Sequence, residues 1–344
     1  MIGSMSAAAT SRDWRAALAP YAQPDVGRSV LDVATSVVPY LALMVAMHFL
    51  IDVSPWLPAL LVLPAAGFLV RTYIVFHDCG HGSFLPSRRA NAWLGTCLSL
   101  FLYSNFMAWR HHHAIHHATA GDLGRRGLGD VHLMTVAEYR VSRWRQRFFY
   151  RAYRNPLVMF GLGPLVELVI QPRFVPRPAR PRIRRAVHGT NAALAVLLAA
   201  LCLLVGWKEL LVLQLPMVWL AGGTGIFLFY VQHQFEGVYW ERSGDWDYAD
   251  AALCGSSHLK LPKVLQFFTG NIGLHHVHHL SARIPNYRLQ RAHDELPSLF
   301  SGVPTLSLLE AFRCLRLKLY DEERRQLVGF REAWAGPAPQ ADAR

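Results

Sequence analysis

Four apolar stretches, each about as long as a bilayer crossing, constrain what this chain can fold into more than any other feature. Residues 30–51 and 56–76 form one pair, separated by the turn-like Asp52-Val-Ser-Pro55. Residues 190–207 and 210–231 form a second, separated by little more than Lys208 and Glu209. A helix needs ~20 apolar residues to cross the hydrocarbon core, where every backbone polar group has to be satisfied within the segment. The pattern predicts four crossings in two tight hairpins. The competing reading is two buried hairpins in a soluble protein. Against it stand a mean hydropathy of +0.19 and a charged fraction of only 17%, low for a soluble domain. Residues 93–107 and 157–171 are apolar too, but short, and are expected to lie in the interface or dip into the membrane. The first apolar block begins late and is too long for a signal h-region, so no signal peptide is expected.

The net charge of +12 could suggest nucleic acid, but its distribution does not. Arg140, Arg143, Arg145, Arg147, Arg151 and Arg154 crowd one polar segment; Arg173, Arg177, Arg180, Arg182, Arg184 and Arg185 crowd another. Both flank apolar blocks, as the excess of Lys and Arg on cytoplasmic loops predicts, whereas the two hairpin tips are almost without them. The termini and residues 77–190 are therefore expected on the cytoplasmic side. The five cysteines form no CxxC pair and read as thiols in a reducing compartment. Residues 1–29 read as a polar cytoplasmic lead-in, 30–325 as one integral domain, and 326–344 as a tail, Ala- and Pro-rich and loosely ordered from about 333.

Three histidine clusters sit at the edges of apolar stretches: His77-Asp-Cys-Gly-His81, His113-Ala-Ile-His116-His117 and His275-His-Val-His278-His279. Residues i and i+4 of a helix lie one above the other, roughly 6 Å apart along the axis. His77/His81, His113/His117 and His275/His279 obey that rule, and His116 and His278 add the i+3 position. Imidazole is the commonest protein ligand for transition metals. Eight such rings are too many for one ion, so two metals are expected. His111, His112 and His276 fall outside the spacing and read as outer partners or solvent-facing rings. His48, His132, His188, His258 and His293 read as ordinary solvated or core residues. His233 follows the fourth span at the membrane edge, and its position alone leaves it open as a ninth ligand.

No Glu has a His three residues later, so the carboxylate-bridged di-iron pattern is missing, as is His-Glu-x-x-His. An all-imidazole set suits Fe, Cu, Ni or Zn. Two metals at a membrane face fit redox work on an apolar substrate. A metal transporter would place its ligands within the spans, near the bilayer midplane.

At this point the chain closely resembles the membrane fatty acid desaturases, which carry histidine boxes of the HxxxH, HxxHH and HxxHH type. The matching stretches are 77–81, 113–117 and 275–279. Trp109-Arg110 before the second box, Gly270-Asn-Ile-Gly-Leu before the third and Ile284-Pro-Asn-Tyr-Arg after it extend the likeness. Val231-Gln-His-Gln-Phe-Glu-Gly-Val-Tyr-Trp240, with Asp245-Trp-Asp247, looks like the bacterial acyl-lipid ω-6 (Δ12) branch. The resemblance implies an all-α integral membrane protein: four spans in two hairpins under a helical cytoplasmic cap, in a bacterial inner membrane. It implies two non-haem irons held by His77, His81, His113, His116, His117, His233, His275, His278 and His279, which brings His233 into the set. Many relatives carry Glu where this chain has Asp78, a residue that reads as outer support or a helix cap.

The implied reaction removes two hydrogens from adjacent methylenes of a lipid-borne acyl chain, with O2 as co-substrate. An unactivated C–H bond offers no acid–base handle, so the oxidising power has to come from the metals and O2. The electrons are expected from a separate ferredoxin or cytochrome b5 type donor. The chain has no His-Pro-Gly-Gly haem motif, no GxGxxG and no Cys cluster. The basic runs could dock such a donor, bind anionic lipid headgroups, or simply be positive-inside charge. A fatty-acyl or carotenoid hydroxylase of the same superfamily is the alternative reading, and a histidine-based metal transporter a remote one.

Overall fold

The computed structural model describes residues 14–127 and 129–334. Among the described residues four helices are long and apolar enough to cross a membrane: α1 (Val26–Ile51), α2 (Trp56–His81), α8 (Pro181–Val205) and α9 (Trp207–His233). Each matches one of the expected spans, although α8 ends at Val205, short of the expected 207, because Gly206 breaks the helix and Trp207 already begins α9. α2 continues to His81 and α9 to His233, so both carry histidines beyond the hydrocarbon, while α8 starts nine residues before 190. Asp25 caps α1, its carboxylate accepting from the Arg28 N–H at 2.9 Å. Half of the α2 window is buried, against 22% for α1, 17% for α8 and 28% for α9. α2 is therefore the central helix, and the other three turn apolar faces outward. Val38, Phe49, Leu60, Val196, Leu203 and Val212 are all exposed, which suits hydrocarbon and not water. At the end of the bundle remote from the histidines, His48 of α1 pairs with Glu209 of α9 and ties the two hairpins together.

The stretch 93–107 is not one helix. α3 (Arg88–Phe101) and α4 (Phe106–Thr119) meet in a turn at 102–105, with Tyr103 at φ 52. The Phe101 ring packs edge-on against Tyr40, midway along α1, at 6.0 Å, and the Tyr103 hydroxyl donates to Gln214 of α9 at 3.4 Å. The α3–α4 hairpin thus dips between the spans and returns. Its second arm carries the middle histidine cluster back to the bundle end, with Asn105 capping it through the Ala108 N–H at 3.0 Å. Residues 157–171 form the short α7 (Pro156–Gly161) and a π-helical turn over Leu165–Ile170, which seats Pro164 and Leu168 against Gly222 of α9.

The cap is built from the chain on either side of the second hairpin. It contains α5 (Val136–Val141), α6 (Trp144–Tyr153), α10 (Tyr248–Cys254), α11 (Lys263–Phe268), α12 (His275–Leu280), α13 (Asn286–Glu295) and α14 (Leu308–Cys314). Five short strands join it: β1 (Met134–Thr135), β2 (His258–Leu259), β3 (Thr305–Leu306), β4 (Leu319–Asp321) and β5 (Gln326–Val328). β1 runs parallel to β4, β4 antiparallel to β5, and β2 parallel to β3, so both small sheets join distant segments. Arg154 is wholly buried where these parts meet, donating to Tyr230, Gln234, Leu317 and His132 oxygens.

Two terminal segments do more than their composition suggests. Residues 326–334, read as the start of a tail, supply β5 and a 3-10 turn whose Ala333 is buried; 335–344 lie outside the described residues. In the lead-in, Trp14 stacks on Tyr248 at 6.0 Å and the Tyr21 hydroxyl donates to Glu295 at 2.6 Å. Polar neighbours hid three buried apolar anchors, Trp14, Leu18 and Tyr21.

Candidate metal centre

The ends of α2 and α9, the second arm of the re-entrant hairpin and the short α12 converge under the cap. α2 delivers His77 and His81 one turn apart and stops there, the Ser83 N–H reaching back to the Asp78 carbonyl at 3.1 Å. α4 brings His113, His116 and His117, and α12 brings His275, His278 and His279. His233 is the last residue of α9. Close packing makes this convergence possible. A Cβ on Gly80 would stand 2.6 Å from the Trp109 ring, and one on Gly270, which has φ +50, would stand 2.8 Å from Ile74. Trp109 in turn stacks on His113 at 4.5 Å.

The nine rings fall into two groups, in each of which the nitrogens lie within 4.8 Å of one another. His77, His81, His113, His117 and His278 form one; His116, His233, His275 and His279 form the other. In the first, His117 and His278 bring their Nε2 atoms to 3.0 Å. In the second, His116 Nε2 lies 3.2 Å from His233 Nε2 and 3.3 Å from His279 Nε2, and His233 Nε2 lies 2.9 Å from His275 Nε2. Two nitrogens on one ion at about 2.1 Å, at right or tetrahedral angles, stand about 3.0–3.4 Å apart. The ring spacing is that of adjacent ligands.

Two further observations fit a metal. His81 Nε2 and His113 Nε2 are buried without a hydrogen-bond partner among the described residues, a state that an ion would relieve. Burial, and then repulsion from neighbouring rings, holds His113, His117, His275, His278 and His279 well below the ordinary histidine value. They are neutral, with a lone pair to offer. Outer contacts aim three rings: His116 Nδ1 faces Asp130 Oδ1 at 2.5 Å, His233 Nδ1 the Gly255 carbonyl at 3.1 Å, and His77 Nδ1 Asp78 Oδ1 at 3.1 Å. An acceptor on Nδ1 leaves Nε2 free to point inward.

Asp130 and Gly255 were not foreseen, since neither lies near a histidine box in sequence. His111 and His112 stand outside both groups. His276 does too, and it is not solvent-facing. Fully buried, it sets Nε2 3.1 Å from His293 Nδ1 and packs on Phe300. His258, read as ordinary, is the third ring of that cluster.

Comparison with known proteins decides the family. The fatty acid desaturase family model matches residues 54–304, which hold all nine histidines. The chain belongs to the fatty acid desaturase family. A fatty acid desaturase of Bacillus subtilis is 43% identical over 314 residues, covering 91% of this chain and 89% of that protein. Two Synechocystis proteins are 28% identical. The sn-1 oleoyl-lipid 12-desaturase matches over 66% of this chain and 65% of its own length. The sn-1 acyl-lipid omega-3 desaturase (ferredoxin) matches over 65% and 63%. This desaturase is thus an oxidoreductase and a membrane protein whose histidine groups are suited to metal.

Proposed function

We propose that this desaturase places a cis double bond in the acyl chain of a membrane lipid, using O2 and two irons. The split of nine imidazoles into sets of five and four carries the reading. In this assignment His77, His81, His113, His117 and His278 hold one iron, and His116, His233, His275 and His279 the other. When bound, the irons supply the one-electron oxidising chemistry with O2 that an unactivated C–H bond requires. The chain's own part is to fix the rings, keep them neutral and dry, and present an acyl chain beside them. The proposed domain is the folded unit around residues 30–325, with the cap on the cytoplasmic side of a bacterial inner membrane. A separate acidic donor protein supplies electrons, the role that the ferredoxin-named relative suggests.

The ω-6 position is supported by the oleoyl-lipid 12-desaturase, but the equally similar omega-3 relative points elsewhere. The segment that suggested the branch has architectural work of its own. Gln232 donates to the Ile272 carbonyl at 2.8 Å, Gln234 receives Arg154, and the Trp240 carbonyl receives Tyr320. The test is expression in a bacterium with oleoyl lipids, together with a ferredoxin system, followed by lipid mass analysis. A dienoic chain two mass units lighter is expected, with its double-bond position read by fragmentation. Gain of one oxygen without a diene would establish the hydroxylase reading instead.

A further inference from the structure

Beside the first histidine group lies a cavity of about 480 Å³. His81 forms part of its wall, and Arg88, Arg110 and Arg283 stand around it. The three arginines come from separate places: Arg88 opens α3, Arg110 lies on α4 three residues before His113, and Arg283 follows α12. None of them has a hydrogen-bond or ion-pair partner among the described residues, and no carboxylate lines the cavity. Other arginines near the cap do have carboxylate partners, as Arg126 has in Glu138 and Arg242 in Glu322. Three unpaired guanidiniums around a concave space of small-ligand size form an anion site.

The surroundings say which anion. Pro24 lies on the rim, two residues before α1 begins, and Val26, Val30 and Leu31 on the first turns of α1 are exposed. On α3, Trp93 is 73% exposed, five residues after Arg88. Exposed apolar side chains and an exposed tryptophan mark the boundary between hydrocarbon and headgroups. The cavity therefore opens at headgroup depth. A docked protein would need a broad face, whereas this concavity suits a single anionic group.

We propose that this cavity binds the phosphate of the acyl lipid, with Arg88, Arg110 and Arg283 as donors, so that the substrate is a phospholipid. The proposal rests on the acyl-lipid reading above and gives it a headgroup. A phosphate held by the three arginines leaves the attached acyl chain to run on toward the histidine groups. Free phosphate has the same chemistry, and the experiment separates the two sources.

The iron-loaded full chain in dodecylmaltoside micelles is titrated calorimetrically with three probes: dihexanoylphosphatidylglycerol, dihexanoylglycerol and inorganic phosphate. Saturable binding of the phospholipid is expected, with no matching binding of the neutral lipid. The Arg88→Gln, Arg110→Gln, Arg283→Gln triple variant should weaken it by about ten-fold or more, and the corresponding Lys variants by much less. Iron content and circular dichroism report folding. Should the triple variant misfold, Arg283→Gln alone, on an exposed loop, should weaken binding about three-fold. Unchanged phospholipid affinity in the Gln variants would overturn the site. Inorganic phosphate binding as tightly as the phospholipid would overturn the lipid assignment. In either case a wild-type chain that still yields diene leaves the desaturase reading standing, and absence of any product with intact arginine-dependent binding would sink that reading alone.

Discussion

Asn286, the first residue of α13, holds Asp78 of α2 by two bonds to the same carboxylate oxygen. The backbone N–H donates to Asp78 Oδ2 at 2.7 Å and the side-chain amide at 3.0 Å. The same amide donates to Asp32 Oδ2 of α1 at 2.9 Å, and Asp32 is paired with Arg71 of α2. The other oxygen of Asp78 faces His77 Nδ1. One buried amide thus joins two membrane helices, the chain after the third box and a histidine of the first. Asp78 is the outer support that was one of its two sequence readings.

Replacing Asn286 by Ala should leave two buried carboxylates facing each other without their shared donor. The loss of a buried hydrogen bond to a charged group is worth about 2 kcal/mol. A lower unfolding temperature is expected, with reduced metal in the five-histidine group. Asn286→Asp should be worse, because it adds a third carboxylate beside a single arginine. Unfolding temperature and iron content in detergent measure both. Wild-type values for Asn286→Ala would remove its positioning role.

The two histidine groups predict two irons per purified chain. His116→Ala should cost roughly one iron and nearly all activity, because His116 reaches both His233 and His279 and has Asp130 behind it. His112→Ala should be milder, since its ring stands outside both groups. Full iron and activity in His116→Ala would sink the assignment.

The spans and the boxes were legible because each has a period or a length of its own. Roughly twenty apolar residues announce a crossing, and i, i+4 spacing announces one helix face. What the sequence hid depends on contacts between remote segments. Asp130 lies fourteen positions after His116 with only a glycine-rich loop between, and nothing local marks it as that ring's partner. The turn at 102–105 falls inside an apolar run, so residues 93–107 read as one short segment and not as the tip of a hairpin. The division of nine rings into five and four could not be read at all. His116 and His117 are neighbours in sequence, yet they belong to different groups.

Gly80→Ala tests the packing that brings α4 against α2. The new methyl would meet the Trp109 ring at 2.6 Å, and that ring stacks on His113. Overpacking of this kind costs about 1–3 kcal/mol, and activity should fall with it as His113 shifts. Gly189 on α8 is the control: a Cβ there has nothing within 4 Å. Gly189→Ala should be neutral or slightly stabilising, because alanine favours helix. Equal, small effects at both positions would mean that the Trp109 contact is not tight.

The orientation of the bundle follows from charge. The arginines of 140–154 and those of 173–185, the last three of which sit on the first turns of α8, flank the apolar stretches, while the two hairpin turns carry almost none, so the proposed orientation puts the histidine end in the cytoplasm. Single cysteines near Asp52 and near Lys208 should then react with an impermeant thiol reagent added to intact cells. Cysteines near Arg145 or His293 should react only after the cells are opened. The exposed Cys97 and Cys254 have to be replaced first, and the remaining three thiols serve as a background control. Reaction at Arg145 from outside would invert the assignment. Reaction at Asp52 from outside but at Lys208 only from inside would break the second hairpin and place His233 across the bilayer from the rings it stands beside.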